Sequence, residues 1–100
     1  MLAHNVFFSL KDPTPASIEH LLAECRKYLS DHPGMVYFGC GTLSDLDRPG
    51  FNDRNFHVGL HMVFKDRAAH DVYQVHDRHV RFIADNKDAW QQVRVFDTDV

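Results

Sequence analysis

Histidine is the residue type through which this chain is best equipped to do chemistry. Eight of its 100 residues are histidines, several times the usual share. An imidazole titrates near ~6.5, so it exchanges protons at neutral pH, and its neutral form also binds metal ions. The excess predicts that some of these side chains form a site, while most are ordinary surface or core residues. The eight are His4, His20, His32, His57, His61, His70, His76 and His79.

His4 is the most informative of them because of its neighbours. Residues 2–11 alternate in polarity, which predicts a strand with His4, Val6, Phe8 and Leu10 on one apolar face. A polar group on such a face must find a hydrogen-bond partner or lose free energy. Two interpretations are open: a structural histidine bonded to a covering helix, or a side chain that lines a cavity.

His76 and His79 lie three residues apart on a predicted helix, so they project onto neighbouring parts of its surface. Two imidazoles are too few for zinc, which normally takes three or four protein ligands, and the sequence shows no further partner for this pair. We therefore expect no metal and no cofactor. A helix cap, a solvated kink and a role in a site are the alternatives for the pair.

His57 and His61 are predicted to share one face of a strand over residues 55–64. They lie roughly 13 Å apart at ~3.3 Å per residue, so they cannot bind one ion together. Across a two-fold axis they could meet their symmetry mates, as ordinary hydrogen-bonded interface residues or as a pH-sensitive interface. The histidines that are predicted to face solvent, without a role, are His20, His32 and His70.

Two helices must cover the strand that carries His4. The first is predicted after Thr14, a good N-cap, and Pro15, which suits a first helical position because its missing N–H is not needed there. The second is predicted after Asp66, another capping residue. Its inner face is expected at Ala69, Val72, Tyr73 and His76, and after a kink at His79, Val80 and Ile83.

The order of the elements predicts the fold class. Strands are predicted at residues 2–11, 35–43, 55–64 and 93–97, with a long polar loop over 44–54 that is expected to be functional or mobile. With the two helices this gives the order β-α-β-β-α-β. The class is α+β: a ferredoxin-like sandwich in which a four-stranded antiparallel sheet carries its helices on one face. Residues 1–100 are expected to form one domain.

The sheet face opposite the helices predicts self-association. The even-numbered side chains of the first three strands, Val36 and Phe56 among them, are expected to pack under the helices. The other face is too apolar to stay in water and too polar for a monomer core, which is typical of a surface that pairs with another sheet. The residues expected at a homodimer interface are Phe7, Tyr37, His57, His61 and Val63.

The composition argues against several function classes. A net charge of −3, a pI near 6.2 and the lack of a basic cluster argue against nucleic-acid binding. No run approaches the ~20 apolar residues of a membrane span, and the first residues lack the parts of a signal peptide, so we expect no membrane association and a cytoplasmic location. Cys25 and Cys40 have no metal-binding or redox spacing and are interpreted as reduced, buried thiols.

Five segments carry a resemblance to a known family: AHNVFFSLKD, PGMVYFGCG, VGLHMVFKD, YQVHDRH and VRVFD. In this order and over nearly the whole chain, they resemble the stress-responsive dimeric α/β-barrel (Dabb) family. The resemblance implies a ferredoxin-like monomer and a homodimeric α/β barrel in which two sheets face each other. Most members of that family have no assigned activity.

The resemblance also implies site residues. The chain is distantly similar to the plant olivetolic acid cyclase, a member that performs an aldol condensation without metal or cofactor in a pocket between sheet and helices. Its acid–base residues match His4, Tyr73 and His79, the expected catalytic residues. His76 matches the start of an H-P-x-H motif in which Asp77 replaces the proline, a difference that bears on how His79 is aimed. The expected ligand-binding residues are His76, Phe8, Val58 and Leu60.

Three functions are open at this point. The first is a homodimeric domain that binds a small, partly apolar molecule in a pocket between helices and sheet. The second is a cofactor-free acid–base enzyme, such as a cyclase or isomerase that acts beside a carbonyl. The third is a stress-linked protein–protein interaction module that uses the dimer surface or the loop over 44–54.

Overall fold

Four antiparallel strands and three helices make up the structure, a computed structural model that describes residues 1–100. The strand order is β2-β3-β1-β4, and the helices cover one face of the sheet, which confirms the ferredoxin-like prediction. None of the helices combines the length and apolar character needed to cross a bilayer. The elements are β1 (Leu2–Leu10), α1 (Pro15–Leu29), β2 (Met35–Thr42), β3 (Val58–Phe64), α2 (Arg67–Val75), α3 (Asp77–Asn86), a short 3₁₀ turn (Lys87–Ala89) and β4 (Trp90–Asp99).

The hydrophobic core lies between the sheet and the helices. The apolar face of β1 is buried as predicted, and α1 contributes buried residues at the spacing of one helical face. Burial of one large apolar side chain contributes about 1.5–3 kcal/mol relative to exposure. Core residues of these two elements are Val6, Phe8, Leu10, Leu21, Leu22, Cys25 and Leu29.

Both predicted N-caps are present. The Thr14 hydroxyl accepts a hydrogen bond from the Ser17 N–H at 3.1 Å, and the Ser17 hydroxyl accepts one from the Thr14 N–H at 3.0 Å, which closes a capping box. The Asp66 carboxylate accepts a hydrogen bond from the Ala69 N–H at 2.8 Å and begins α2. These caps satisfy backbone donors that have no partner within the helix.

The prediction for Val36 is wrong, because β2 contains an irregularity at its start. Met35 pairs with Phe64 and Tyr37 with Val63, so Val36 has no partner on β3. Val36 is therefore 59% exposed, and Met35 packs against the core in its place. The bulge leaves Tyr37 on the open face, as predicted, because the alternation resumes after the extra residue.

The prediction for Phe56 is also wrong. The third strand begins at Val58 rather than at residue 55, so the alternation does not extend back to Phe56. The Phe56 ring packs against Phe7, on the open side of the sheet, with ring centroids 4.9 Å apart. His57 ends the preceding loop, and its N–H donates to the Phe8 carbonyl at 2.8 Å.

The kink predicted in the second helical segment is a complete break, so the segment is two helices. His76 is both the C-cap of α2 and the N-cap of α3, with an extended backbone (ψ 141°), and its Nδ1 accepts from the Arg78 N–H at 3.1 Å. This break changes the phase of the helical pattern after His76, so Val80 (53%) and Ile83 (37%) are exposed although they were predicted inside. Phe82 and Asn86 are buried instead. Val72, which precedes the break, is 53% exposed because Ala69 and Tyr73 form the buried face of α2.

The loop over residues 44–54 is tied to the rest of the chain by two arginines. The Arg54 guanidinium donates to the carbonyls of Ser44 and Leu46 at 2.8 and 2.6 Å. Arg94 on β4 donates to the Asp53 carboxylate at 2.6 Å, and this hydrogen bond lowers the pKa of Asp53. The contacts hold the end of the loop beside the open face of the sheet.

His32 is buried, with only 5% of its surface exposed, contrary to the prediction that it faces solvent. Its Nε2–H donates to the Tyr28 carbonyl at 2.8 Å, and its Nδ1 has no hydrogen-bond partner. Burial, more than any neighbouring charge, lowers the pKa of this imidazole. The turn between α1 and β2 therefore packs a neutral histidine against Tyr73, with ring centroids 4.9 Å apart.

We expect acidification to destabilise the protein partly through His32. Its pKa is lowered in the folded state, so its stabilising contribution is present above the unfolded value of ~6.5 and is lost as pH falls toward the folded pKa. Urea unfolding at pH 7.5 and 5.5 should give a smaller pH dependence for His32→Gln, which keeps an N–H donor but does not titrate. His20→Gln, at an exposed helix position, should behave as wild type. An undiminished pH dependence in His32→Gln would contradict this assignment.

Candidate functional site

A pocket of about 520 Å³ lies between the helix-covered face of β1 and β4 and the helices α2 and α3. Its size is within the range of about 300–1,000 Å³ typical of small-molecule sites. Most of its walls are apolar, and its polar lining includes three histidines and a tyrosine. The polar and aromatic lining includes His4, His70, Tyr73, His79, Trp90 and Asp97.

His4 is held by the strand opposite it. In the β1–β4 ladder His4 pairs directly with Asp97, and His4 Nδ1 lies 2.5 Å from an Asp97 carboxylate oxygen. Since a carboxylate only accepts, Nδ1–H donates and Nε2 is the nitrogen left without a partner in the chain. The imidazole side chain is 6% exposed and the carboxylate 45%, so the pair joins the interior of the pocket to its open edge.

His79 lies in the first turn of α3, where the break at His76 places it. Its Nδ1–H donates to the Gln74 carbonyl at 2.9 Å. This carbonyl is available because the last carbonyls of a helix have no partner within it. This bond fixes the tautomer and leaves a lone pair on Nε2. Burial lowers the pKa of His79 more than the carbonyl raises it, and His4, His32 and His70 add smaller repulsions. The imidazole is therefore neutral at pH 7.

Tyr73 lies at the centre of the aromatic contacts under the helices. It is 2% exposed, and its ring centroid is 4.5 Å from that of His79 and 6.2 Å from that of His4. Burial, followed by the nearby Cys25 thiol, raises the pKa of the phenol, so it stays protonated at neutral pH. The residue can donate a proton or a hydrogen bond but does not act as a phenolate.

His70 is part of the pocket, so the prediction that it faces solvent is wrong. Its Nδ1 lies 3.1 Å from an Asp71 oxygen, and its Nε2 lies 3.2 Å from the Gln74 amide nitrogen. Its ring centroid is 5.0 Å from that of His4. The signal was available: His70, Tyr73 and Gln74 fall at helical positions i, i+3 and i+4 behind the Asp66 cap.

Asp97 was missed as well, although its strand was predicted. Val93, Val95 and Asp97 alternate along β4 and all three line the pocket. A period-2 count would have placed Asp97 on the helix-covered face. Its position opposite His4, however, depends on the strand register, which the sequence does not show.

The other expected ligand-binding residues divide into two groups. Phe8 and Leu60 line the pocket. Val58 does not, because it is 0% exposed in the core, and His76 does not, because its ring caps α3 and packs against His32 with centroids 4.9 Å apart. Asp77 occupies the first position of α3, where proline is also favoured, so a break forms here despite the difference in sequence.

The expected interface residues lie on or beside the open sheet face, with His57 as the exception. The Leu10 N–H donates to His57 Nδ1 at 2.9 Å, so this imidazole provides the acceptor for the last backbone N–H of β1. His61 Nδ1 lies 2.8 Å from the Asn5 side-chain oxygen on the open face. Tyr37 is 57% exposed and covers Gly39, where an added Cβ would lie 2.7 Å from the tyrosine hydroxyl.

The structure thus brings His4, Tyr73 and His79 to one pocket without direct hydrogen bonds among them. The arrangement provides the Nε2 atoms of two imidazoles, a protonated phenol and a carboxylate behind one imidazole. Trp90 Nε1 is buried without a partner at the same pocket, which adds an unused donor. Such a set can hold a molecule that carries hydroxyl and carbonyl groups on an apolar frame.

Comparison with known proteins agrees with this description. No curated protein sequence matches the chain. A Dabb family protein of Mesorhizobium loti with a ferredoxin-like fold is 26% identical, with a TM-score of 0.82 over 99% of this chain and 95% of that one. A hydroxynitrile lyase of Passiflora edulis is 20% identical, with a TM-score of 0.78 over 99% and 92%. A dimeric ferredoxin-like protein of unknown function from Thermobifida fusca is 16% identical, with a TM-score of 0.80 over 99% and 90%.

The last two likenesses show the fold alone, because the identities are low. The family is established by a different comparison, in which the model of the stress responsive A/B barrel domain matches residues 2–100. The chain therefore belongs to the Dabb family of stress-responsive A/B barrel domains.

Proposed function

We propose that this protein is a homodimeric Dabb domain that binds a small, partly apolar molecule in the pocket between α2–α3 and the sheet, and that it carries out cofactor-free acid–base chemistry beside a carbonyl. The observation that carries the proposal is the convergence of His4, Tyr73 and His79 on one pocket of about 520 Å³. An enzyme with this fold, the Passiflora edulis hydroxynitrile lyase, supports the idea that the architecture accommodates catalysis.

His4 is the general base in this proposal. The Asp97 carboxylate accepts from its Nδ1–H, so it stabilises the positive charge that develops when Nε2 takes a proton. The bond also fixes the tautomer with the lone pair on Nε2. Proton transfer by a positioned group of this kind typically contributes 10²–10⁴-fold to a rate.

His79 and Tyr73 orient the bound molecule. Neutral His79 accepts a hydrogen bond at Nε2 from a hydroxyl or enol group, because its Nδ1–H is already used by Gln74. Tyr73 remains protonated and supplies a donor for an oxygen that becomes negative in the transition state. A substrate with an acidic proton beside a carbonyl meets these requirements, and the apolar walls suit an aromatic or alkyl remainder.

Self-association is the other part of the proposal. The open sheet face combines exposed aromatic side chains, with Tyr37 57% and Phe96 50% exposed, and the half-buried Val63. The dimeric Thermobifida fusca protein with the same fold supports pairing. Two open faces packed together would remove this apolar surface from water while leaving both pockets intact on the outer side.

The tautomers provide a direct test of the proposed roles. Nitrogen-15 NMR at pH 7.5 should show His79 as the Nδ1–H form, because Nδ1 donates to a carbonyl. His57 should show the opposite Nε2–H form, because its Nδ1 accepts from Leu10 N–H, and it therefore provides an internal reference. A His79 signal from the Nε2–H form would remove the acceptor that the proposal assigns to the pocket.

Mutation of the proposed catalytic pair should lower turnover much more than affinity. Trp90 is the chain's only tryptophan and lines the pocket, so its fluorescence can detect binding in a screen of aryl and alkyl carbonyl compounds. With a compound that binds and reacts, His4→Ala and Asp97→Asn should lower kcat by about 100-fold or more while affinity changes by less than about fivefold. His20→Ala, on an exposed face of α1, should change neither.

Two results would contradict the catalytic proposal. One is a compound that binds in the pocket and reacts equally fast with His4→Ala. The other is the absence of turnover with every compound that binds, together with losses of affinity alone in the His4 and His79 variants. The second result would leave a binding domain, which is the simpler of the alternatives.

The dimer can be tested on the opposite face. Val63→Glu should raise the dimer dissociation constant by about 100-fold or more, because a carboxylate buried without a partner costs several kcal/mol. Val72→Glu is the matched control, since Val72 is 53% exposed on α2, on the helical side. Analytical ultracentrifugation measures both. An unchanged dimer in a folded Val63→Glu protein would rule out the sheet-to-sheet interface.

A further inference from the structure

Three side chains from separate elements form a cluster with the composition of a metal site. His4 on β1, His70 on α2 and Asp97 on β4 each offer one ligand atom, and these atoms all lie within 4.8 Å of one another. The sequence predicts no metal site at His76 and His79, because that pair has no third partner. The strand register and the rotation of α2 assemble a different set.

The orientation of His70 favours a ligand role. Its Nδ1–H donates to the Asp71 carboxylate, and the Gln74 amide donates to its Nε2, so Nε2 carries a lone pair. A histidine held by a carboxylate through one ring nitrogen, with the other nitrogen free to bind, is the usual support of a metal-ligating imidazole. The amide is a neutral donor that a metal ion can displace.

The charges around the cluster also suit a divalent cation. Two neutral imidazoles and one carboxylate leave a divalent ion with one net positive charge. Arg67, the nearby cation at the pocket edge, is engaged by Asp71 at 2.9 Å. Two histidines and one carboxylate are a ligand set found in open transition-metal sites, whose remaining positions bind water or substrate.

We propose that His4, His70 and Asp97 bind one divalent transition-metal ion of the zinc class, with the remaining coordination positions open to the pocket. His4 binds the ion through Nδ1, so its proton moves to Nε2 and the hydrogen bond to Asp97 is broken. The distance between Nδ1 and the Asp97 oxygen then widens from 2.5 Å to about 3.3 Å, the separation of two ligands that each lie ~2.0–2.1 Å from zinc in tetrahedral geometry. The Asp97 side chain is 45% exposed and can make this movement.

This inference goes beyond the proposed acid–base function and does not depend on it. The proposed metal site and the proposed acid–base reaction both use His4, so the metal-bound and proton-accepting states of this side chain exclude each other. Zinc should therefore inhibit any metal-free turnover that the pocket supports. If the protein shows no turnover at all, metal binding remains measurable by itself.

The test uses the untagged, metal-stripped protein, titrated with Zn²⁺ by calorimetry and with Co²⁺ by visible absorption. We expect one ion per chain and a Co²⁺ spectrum of low coordination number. His70→Ala and Asp97→Ala should weaken binding by about 30-fold or more, because each removes one of three protein ligands. Circular dichroism verifies folding, and His70→Asn provides a second variant that keeps polar character.

The controls separate this site from the other histidines. His76→Ala and His61→Ala, which alter the helix cap and the open face, should bind metal as wild type does. His79→Ala should also keep the metal, while in the proposed function it impairs the reaction. Sub-stoichiometric binding, or binding that persists in both His70 variants, would overturn the proposal. So would a loss of metal in His61→Ala alone.

Discussion

The antiparallel register between β1 and β4 is the constraint on which the site depends. It places His4 directly opposite Asp97 on the helix-covered face of the sheet. A shift of one residue would turn every side chain of one strand to the other face, so the hydrophobic burial of Val6, Phe8 and Leu10 also holds the register that creates the polar pair. The core and the pocket are therefore two consequences of one pairing.

The break between α2 and α3 is the second feature that shapes the pocket. A continuous helix would have carried Val80 and Ile83 inward by its period. Instead, His76 ends one helix and begins the next, and the two halves point different residues at the sheet. The break leaves the Gln74 carbonyl without a helical partner, and the His79 imidazole uses it. A backbone irregularity thus fixes the tautomer of a proposed functional residue.

The histidines differ in their burial and in their hydrogen-bond partners. His32 and His79 are held in environments that lower the pKa, so they are neutral at pH 7. His4 instead donates its Nδ1–H to the Asp97 carboxylate. The pocket imidazoles of His4 and His79 are therefore held by different partners, a carboxylate for His4 and a backbone carbonyl for His79.

The sequence by itself determined the class of the fold. The period-2 pattern of β1, the helical spacing in α1 and the caps at Thr14 and Asp66 predict the elements in their order, because each depends only on neighbours in the chain. The family resemblance indicated His4, Tyr73 and His79, and the periodicity of β4 could have indicated the face of Asp97. These signals are local, and for that reason they can be read without the fold.

Only the tertiary structure decided which side chains meet. The bulge that exposes Val36, the start of β3 that turns Phe56 to the open face and the helix break at His76 are responses to packing, so residue types near them predict the wrong face. The grouping of His70 with His4 and Asp97 joins three elements far apart in sequence. Periodicity predicts which face of an element a side chain occupies. The strand register and the burial of the core determine which side chains meet across strands and helices.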